Sequence, residues 1–550
     1  MYMPKTILLT LLFTALSCAR CESSPGTETP PPGDTTPKNY YLSSSAGSDS
    51  NSGLSPDSPW KSLDRVARGS FNPGDSILLR AGDAWTESAV WTSKFSGTEE
   101  LPVVVSSYGT GSRPSLSAYS GSVVLTVNNS DYLVFENIEV GPGAGYGVVF
   151  GITDKKPHGN ITVRNVKVRD MPLAGIFFND QEYLNHDITV SHCTGDRVEM
   201  LFAVSSGERV RIADCEATEC VYGGFSIISV RDGVLERCKV FRCGTGNYPN
   251  GACGIFLGIN DGFVIRSTEV AYQKRQGDNP DGEAIDFERD NKNVTVTDCY
   301  LHDNDGCAVM FFDNMKGLMN EGCVIENTRF ANNSLNVLSP RGFEIHFTEL
   351  ACNNDGAIRN NTFDLNPGVR FLTTVDPSVT VSGNKAADGT PLELASASGA
   401  ATFEDAGFEA PALGSGYDYR PAGTAWTFRG NAGITTSVES AFTPPAAPEG
   451  AQTAFVQGAA SLSQCVYLAA GSYKVAFSAA YRDSSGAGQG VDLYVNGVKT
   501  GETLYPASGT SFSDCESASF TVETGVCLIE LRGSFSGDKT AFLDSFRIIQ

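Results

Sequence analysis

The sequence predicts an all-β protein in which a parallel β-helix is followed by a β-sandwich. The first observation is a four-residue pattern that recurs nine times. It consists of an aliphatic residue, any residue, a polar residue and a small apolar residue. Its polar positions are Asn137, Asn165, His192, Asp214, Arg237, Ser267, Asp298, Asn327 and Asn360, at steps of 28, 27, 22, 23, 30, 31, 29 and 33 residues. A loose period with variable insertions is typical of the stacked coils of a solenoid.

The second observation is the residue composition of the segments between these positions. Two to four alternating Val, Ile and Phe residues are bounded by Gly, Asn and Asp, which indicates short strands and turns. Equivalent residues of stacked coils lie about 4.8 Å apart and form columns. The small position holds a cysteine in four coils (Cys193, Cys215, Cys238 and Cys299), so we expect a column of buried thiols rather than disulfides or a metal site.

The polar position of the pattern is expected to turn the chain. Asparagine tolerates the left-handed conformation and its amide can satisfy neighbouring backbone groups. His192 occupies the same column, so we interpret it as a turn residue rather than a base. A short helix is expected near residues 59–67, after Ser58, where it would cap the open end of the solenoid.

Length, charge and the N-terminal residues set further bounds. The chain has 550 residues and a formal net charge of −23, which makes nucleic acid an improbable partner because phosphate would be repelled. The apolar run from Ile7 to Leu16 before Cys18 resembles a bacterial lipoprotein signal. We therefore expect a signal peptide over 1–17, lipidation of Cys18, and a flexible tether over 18–37.

The N-terminal residues predict a lipid-anchored protein of the bacterial cell envelope, at the outer-membrane surface or in the periplasm. We also expect a monomer. The apolar N-terminal run is too short to span a bilayer, and the rest of the sequence offers no alternative span. The membrane is therefore expected to be reached through the lipid alone.

Several segments carry a resemblance to a known group. The stretches "YYLSSSAGSDSNSG", "SPWKSL", "PGDSILLRAGDAW" and "YGTGSRP" are similar to the entry of right-handed parallel β-helix proteins of the pectin-lyase-like superfamily. The resemblance covers residues 38–395. It implies a right-handed helix and a place among carbohydrate-active proteins, which include polysaccharide lyases and glycoside hydrolases.

Residues 396–550 have a different, Ala-, Gly- and Ser-rich texture with a hairpin signal at Asn496-Gly497. The stretches "GFEAPALGSG", "VDLYVNG" and "AFLDSFRI" resemble jelly-roll carbohydrate-binding modules of the galactose-binding-like type. The resemblance implies a structural calcium flanked by Glu409 and Asp544. Trp426 is a candidate to stack on a sugar ring, with a place in the sandwich core as the alternative.

Candidate catalytic residues fall on an unusual strand, residues 282–288, which reads GEAIDFE. Alternation places Ile285 and Phe287 inward, so Asp286 and Glu288 are expected to face solvent in a cleft. Their Cα atoms would be about 6.6 Å apart, which suits an acid and nucleophile pair or a pair with water between. Glu283 is a third candidate for the same chemistry.

Aromatic and polar residues of other coils are expected on the same outer face and would bind substrate. They are Phe177, Phe256 and Phe312, with Glu344 and His346 from the alignment of a later coil. Rings beside carboxylates suit a sugar, because the rings take its apolar face while the acids act on the glycosidic oxygen. The alternative is that a loop covers this face and the acids form a structural ion network.

Two further functions remain open. In a polysaccharide lyase, Lys274 or Arg275 would remove the proton beside a uronic carboxylate, and a calcium ion would neutralise that carboxylate. The acids that could hold this calcium are Asp278, Asp281, Glu283 and Asp286. The third possibility is a glycan-binding protein without catalysis. Glycosidic hydrolysis of a complex polysaccharide, which requires no cofactor, is the preferred prediction.

Overall fold

The computed structural model describes residues 35–180, 182, 184–249, 251–276, 281–312, 320–336, 342–348, 353–367, 369–373, 378–392, 402–421, 424–482, 488–522 and 525–550. The predicted signal peptide, Cys18, most of the tether and Asp278 lie outside these residues. The described chain folds into a right-handed parallel β-helix and, after it, two antiparallel sheets. The predicted β-helix is therefore confirmed, while the jelly-roll type of the second part stays a prediction.

Most coils of the β-helix contribute one strand to each of three parallel sheets, which we number in the order in which the chain enters them. Sheet 1 contains Asn39–Leu42, Ser76–Arg80, Val103–Tyr108, Leu133–Glu136, His158–Arg164, Asn185–Ser191, Gly207–Ala213, Val230–Arg231, Val234–Glu236, Val264–Arg266, Thr295–Thr297, Val324–Glu326, Ala357–Arg359 and Thr380–Ser382. Sheet 2 contains Ala84–Thr86, Ser115–Ala118, Glu139–Gly143, Lys167–Met171, Thr194–Val198, Glu216–Thr218, Lys239–Phe241, Glu269–Ala271, Tyr300–His302, Arg329–Ala331, Thr362–Asp364 and Lys385–Ala386.

Sheet 3 positions the candidate site described below. It contains Ala89–Thr92, Val123–Asn128, Tyr146–Gly151, Ile176–Asn179, Phe202–Val204, Phe225–Ile228, Ile255–Gly258, Ile285–Arg289, Val309–Phe311, Phe343–Phe347 and Arg370–Leu372. A small parallel pair, Asn320–Glu321 with Asn353–Asn354, accompanies sheet 1. One continuous apolar core fills the space between the three sheets.

The C-terminal part is a sandwich of two antiparallel sheets around a separate apolar core. One sheet contains Tyr417–Tyr419, Ala432–Thr436, Gln452–Gln457, Gly471–Tyr481, Ser513–Glu516, Phe520–Val522 and Thr540–Ile549. The other contains Thr427–Arg429, Ser461–Leu468, Val491–Val495, Val498–Lys499 and Gly525–Gly533. In the described residues, no helix combines the length and hydrophobicity needed to cross a membrane.

The recurring polar position turns the chain between sheets 1 and 2. All nine residues of the pattern have φ between 50° and 60°, in the left-handed region. The residue after each of them is buried, which keeps the coils in register. Cys193, Cys215, Cys238 and Cys299 occupy that buried position as free thiols.

Buried asparagines stabilise another corner of the coils. Asn260 donates its side-chain amide to Asn291 at 3.0 Å, and Asn291 donates to Asn320 at 3.0 Å. Each amide thereby satisfies its neighbour in the coil above, so that the polar column can lie inside the fold.

The N-terminal cap is shorter as a helix than the sequence predicts. The helix spans Asp64–Ala67 only. Trp60 instead forms a parallel β-bridge with Leu42, and Tyr40 stacks on its ring at 5.0 Å. Strand pairing therefore outweighs the helical spacing of the apolar residues, while Leu63 and Val66 still close the core.

Candidate functional site

The outer face of sheet 3 carries a row of aligned side chains. Strand register pairs them one coil after another, in the order Thr126, Val149, Phe177, Ala203, Ser226, Phe256, Asp286, Met310 and His346. Their strand neighbours Ile285 and Phe287 are buried in the central core. Asp286 therefore projects from the face opposite the core, as strand alternation requires.

Two carboxyl groups and a thiol meet at this row. One side-chain oxygen of Glu283, one of Asp286 and the sulfur of Cys253 all lie within 4.8 Å of one another, and all three residues are buried. Cys253 and Glu283 belong to the corners that lead into neighbouring strands of sheet 3, whereas Asp286 belongs to a strand itself. The site is thus formed by side chains from the corners between strands as well as from the strands of sheet 3.

Glu288 lies at an irregularity of the same strand. Leu257 pairs with Phe287, but Gly258 pairs with Arg289, so Glu288 is the additional residue of a β-bulge. Bulges redirect side chains and are over-represented beside active sites. The regular outward alternation predicted for Asp286 and Glu288 is therefore interrupted between the two residues.

The prediction that these carboxylates face open solvent is wrong. Asp286 is 2% exposed and Glu288 is 5% exposed, and Glu283 and Asp281 are also buried. Burial, and then the neighbouring groups of Cys253, Asp286, Asp281 and Glu288, raise the pKa of the Tyr222 hydroxyl well above its ordinary value. Tyr222, at a corner that precedes a strand of sheet 3, therefore lies near enough to these acids for their charges to act on its hydroxyl.

An aromatic wall continues from the acids along these corners. The rings of Tyr222 and Tyr248 meet edge to face at 5.2 Å, and the Tyr248 hydroxyl donates a hydrogen bond to Glu199 at 3.2 Å. Burial raises the pKa of Glu199, although its hydrogen bond with Tyr248 opposes this shift. Farther along, Tyr146 stacks on Phe177 at 5.3 Å.

The predicted aromatic residues differ in their accessibility. Phe256 and Phe312 are half-buried and have accessible ring surface. Phe177 is buried beneath Tyr146 and packs with Val149 and Ala203 in a small outer cluster. In this part of sheet 3, the accessible aromatic ring on the outer face is therefore that of Tyr146 and not that of Phe177.

Glu344 does not lie on the outer face, so that prediction is wrong. It is fully buried and ends a ladder of interior amides, in which Asn304 donates to Asn333 and Asn333 donates to Glu344 at 2.7 Å. Burial raises the pKa of Glu344 to about 8. His346 does keep the outward register, opposite Met310, but it is buried and stacks on Phe343 at 5.3 Å.

The two basic candidates contact a neighbouring coil. The Lys274 Nζ lies 3.8 Å from an Asp305 oxygen, and the Arg275 backbone N–H donates to Asp305 at 3.0 Å. The Arg275 guanidinium also donates to the Asn336 carbonyl at 3.1 Å. These contacts orient both side chains along the corners of the coils.

Calcium fits the described donor sets only in part. The Cys253 thiol is a poor ligand for an ion that takes six to eight oxygens. In the sandwich, Asp544 is buried, its Oδ2 has no hydrogen-bond partner in the described structure, and burial raises its pKa to about 7. Glu409 instead accepts the backbone N–H groups of Ala451 and Gln452.

Asp544 thus has the character of a cation ligand. Within the described residues, however, no metal-sized group of three or more acidic, histidine or cysteine side chains includes Asp544 or Glu409. The calcium predicted for this pair therefore stays a prediction.

Trp426 does not form a sugar-binding surface. It is 0% exposed, stacks on Phe403 at 5.2 Å and donates its indole N–H to the Asp405 carbonyl at 2.9 Å. The prediction that Trp426 binds substrate is therefore wrong, and the residue anchors the core of the sandwich.

Sequence reasoning missed the residues Glu199, Tyr222, Tyr248 and Cys253. A signal was available for some of them, because Tyr222, Cys253 and Glu283 each precede small residues and then a strand of sheet 3. Aligning these corners, and not only the strands, would have stacked Cys253 on Glu283 in neighbouring coils.

Fold and site together describe a right-handed β-helix with a buried carboxyl pair on the outer face of one sheet. Residues 245–408 match the family described as right handed beta helix region. A segment of 131 residues is 30% identical to a protein named Lacto-N-biosidase from Bifidobacterium longum subsp. longum. That match covers 24% of this chain and only 8% of the bifidobacterial protein.

One solved structure shares the β-helix fold with this chain at a TM-score above 0.5. The crystal structure of a GH136 lacto-N-biosidase from Eubacterium ramulus, as its selenomethionine derivative, is 19% identical with a TM-score of 0.53. It covers 64% of this chain and 67% of its own chain. The native crystal form has a TM-score of 0.49 at the same identity, and covers 64% of this chain and 68% of its own.

Proposed function

We propose that this protein hydrolyses glycosidic bonds of a complex polysaccharide, with Glu283 and Asp286 as the catalytic pair. The observation that carries the proposal is the approach of their carboxyl oxygens to within 4.8 Å on the outer face of sheet 3. The half-buried rings of Phe256 and Phe312 are candidates to hold the apolar face of a sugar. The local identity to a lacto-N-biosidase supports a glycan as the substrate.

The separation of the two groups favours hydrolysis with retention. Retaining enzymes hold their two carboxyl groups about 5–5.5 Å apart, whereas inverting enzymes need about 6.5–9.5 Å so that a water fits between the base carboxylate and the anomeric carbon. One carboxylate would attack the anomeric carbon while the other carboxyl gives its proton to the departing oxygen, which yields a glycosyl ester. Water would then break that ester, returning its proton to the second carboxylate and releasing the first.

Elimination is less well supported by the same contacts. A lyase needs a base and a cation beside a uronic carboxylate, and the contacts of Lys274 and Arg275 with Asp305 and Asn336 direct these side chains along the corners. Hydrolysis requires only the carboxyl pair. We therefore place the lyase second and glycan binding without catalysis third.

We further propose that the protein acts as a lipoprotein of the cell envelope. The basis is the sequence around Cys18, with the signal-like run before it and the tether after it. Cys18→Ala should move the protein from the membrane fraction to the soluble fraction after cell lysis. Unchanged membrane association of that variant would contradict the proposal.

The test of catalysis uses the whole chain on a panel of plant, algal and host glycans. We expect reducing ends to appear with wild type, without the ultraviolet-absorbing unsaturated product of a lyase. Asp286→Asn and Glu283→Gln should be inactive, while Glu326→Gln, whose carboxylate pairs with Arg359 on sheet 1, should retain activity. Proton NMR of the first product should show retention of the anomeric configuration.

The outcomes separate the three functions. Equal activity in wild type and both variants would overturn the catalytic pair, and an unsaturated product would make the protein a lyase. Measurable glycan binding with no product after long incubation would make it a binding protein. Inversion would require a water-sized gap between the two carboxyl groups that this geometry does not provide.

A further inference from the structure

Among the described residues, the half-buried carboxyl group of Glu199 has no basic partner. Glu199 belongs to the corner that precedes the strand Phe202–Val204, and strand register places that corner three coils from the corner of Glu283. Burial raises the pKa of Glu199 and the Tyr248 hydroxyl opposes this shift, while no Lys, Arg or His of the described chain acts on it. It differs in this respect from Glu236 of sheet 1, which pairs with arginines.

Three tyrosines lie near this carboxyl group. The Tyr248 hydroxyl donates to it at 3.2 Å, and the Tyr222 ring meets the Tyr248 ring edge to face at 5.2 Å. The Tyr222 backbone N–H donates to the Glu199 carbonyl at 3.0 Å, which holds the two corners together. Burial, and then the Glu199 charge, raise the pKa of the Tyr146 hydroxyl, so Tyr146 lies within reach of the same charge. All three tyrosines are half-buried and thus partly accessible.

Aromatic rings beside a carboxylate are suited to a cation. A cation within about 6 Å of a ring centroid is attracted to the face of the ring. A hydrogen bond between an ammonium and a carboxylate is roughly twice as strong as one between neutral groups. A neutral hydroxyl would gain only the weaker bond, and a carboxylate or sulfate of a ligand would be repelled by Glu199.

Tyr222 connects this carboxyl group with the candidate catalytic pair. The pKa of its hydroxyl is raised by burial and then by the charges of Cys253, Asp286, Asp281 and Glu288. Corners of successive coils are about 4.8 Å apart, so the corner of Glu199 lies about 14 Å along the solenoid from that of Glu283. A glycan that extends along this wall from the catalytic pair therefore reaches Glu199 with a sugar unit beyond the one that is cleaved.

We propose that Glu199, Tyr146, Tyr222 and Tyr248 form a subsite for a sugar unit with a free amino group. The ammonium group donates to the Glu199 carboxylate and packs against the faces of the tyrosine rings. The subsite rests on the proposed function and names its substrate class, a glycan that contains an unacetylated amino sugar. Acetylation removes the charge, so an N-acetylated unit lacks both interactions.

The experiment uses the full chain with Asp286→Asn, so that binding is measured without hydrolysis. Isothermal titration calorimetry compares oligomers of glucosamine and of galactosamine with their N-acetylated forms and with oligogalacturonate, at a pH where the amines are charged. We expect at least one amine oligomer to bind about tenfold tighter than its acetylated form, and no binding of oligogalacturonate. Glu199→Gln should remove this preference, and Tyr248→Ala should weaken binding of the amine oligomer about threefold or more.

Glu219→Gln is the matched control, since Glu219 follows the sheet 2 strand Glu216–Thr218 and its carboxylate pairs with Arg242 at 3.4 Å. Its binding should equal that of the parent, and thermal unfolding verifies that the variants remain folded. Equal weakening by Glu199→Gln and Glu219→Gln would reduce the effect to attraction by the acidic surface as a whole, and would overturn the subsite. Equal or tighter binding of the acetylated oligomers, or no binding of either amine oligomer by the parent, would also overturn it.

The outcomes separate this subsite from the catalytic proposal. Amine binding that depends on Glu199, together with no hydrolysis by wild type, would retain the subsite and overturn the catalytic pair. Hydrolysis by wild type without a preference for the amine would retain the pair and overturn the subsite.

Discussion

Two faces of the same β-helix carry buried carboxylates with opposite surroundings. On sheet 1, Glu236 is 2% exposed and receives hydrogen bonds or ion pairs from Arg211, Arg266 and Arg237. These interactions lower the pKa of Glu236, although burial opposes the shift. The charge of Glu236 is thus matched by Arg237 of its own coil and by Arg211 and Arg266 of the two adjacent coils, as expected for a structural network.

On sheet 3, an oxygen of Glu283, an oxygen of Asp286 and the Cys253 sulfur lie within 4.8 Å of one another. Gathering like charges away from water costs free energy that the fold must supply elsewhere. Such an arrangement is therefore more informative about function than the number of acids on a face. Glu236 shows that burial of an outward carboxylate by itself indicates nothing about catalysis.

Replacing a carboxylate by its amide on each face in turn should give the largest difference between sheets 1 and 3. Glu283→Gln or Asp286→Asn should lower glycan hydrolysis by at least ~10³-fold, since each removes a group that acts on the scissile bond. The unfolding midpoint should stay unchanged or rise, because repulsion between the two carboxyl groups is relieved. Initial rates and calorimetric unfolding of the same preparations measure both effects.

A large fall in the unfolding midpoint together with the loss of activity would contradict this contrast. It would place Glu283 and Asp286 with Glu236, as residues that hold the coils together.

Glu236→Gln should give the reverse result. Removing the carboxylate leaves three half-exposed guanidinium groups without their shared partner, so the free energy of unfolding should fall by about 1–3 kcal/mol. Glycan hydrolysis at a temperature well below unfolding should be unchanged. Urea unfolding monitored by circular dichroism measures the first quantity, and activity loss without a change in stability would contradict the assignment.

The pH dependence of this variant is also defined. The pKa of Glu236 is lower in the folded protein than in the unfolded chain. Its contribution to the free energy of unfolding is therefore complete above the pKa of the unfolded chain, near 4.5. The contribution is lost as the pH falls through the folded pKa. Wild type and Glu236→Gln should therefore converge in stability on acidification, and a difference that grows toward low pH would contradict this.

The fold was accessible from the sequence because every coil repeats the same physical requirement. Nine polar residues must adopt the left-handed conformation and nine small residues must be buried, so the pattern survives large insertions. The helix near residue 60 was less accessible, since the pairing of Trp60 with Leu42 depends on a contact distant in sequence.

The site was predicted less completely because it is made from corners as well as strands. Alternation identified Asp286, but it could not predict the bulge at Glu288 or the side chains that shield the acids. Glu344 was placed on the wrong face because it accepts a hydrogen bond from Asn333, the last amide of an interior ladder. The alternation of apolar and polar residues gives no indication of that ladder. Trp426 illustrates the same limit, because sequence does not separate an aromatic core residue from an exposed one.

Tyr222 tests whether the corner residues act with the acids. Tyr222→Phe removes only the hydroxyl, whose pKa is raised by burial and then by the charges of Cys253, Asp286, Asp281 and Glu288, and we expect kcat to fall about tenfold with a shifted pH profile. The control is Tyr300→Phe, in which the ring lies on sheet 2 and stacks on His302. A change in KM alone, or an equal effect of both variants, would reduce Tyr222 to a packing residue.

Substitution of Cys253 should have the smallest effect on hydrolysis. It tests whether a buried thiol beside sheet 3 differs in role from the buried thiols beside sheet 1. Its sulfur lies within 4.8 Å of oxygens of both Glu283 and Asp286, where a weak donor tunes the pair without reacting. Cys253→Ala should therefore change kcat only a few-fold, while moving the pH profile of hydrolysis. Cys299→Ala is the matched control, because Cys299 is a buried thiol at the turn between sheets 1 and 2 and not at the corner that carries Glu283. Identical pH profiles for the two variants would show that the thiol at position 253 fills space, as the cysteines of the sheet 1 corner do.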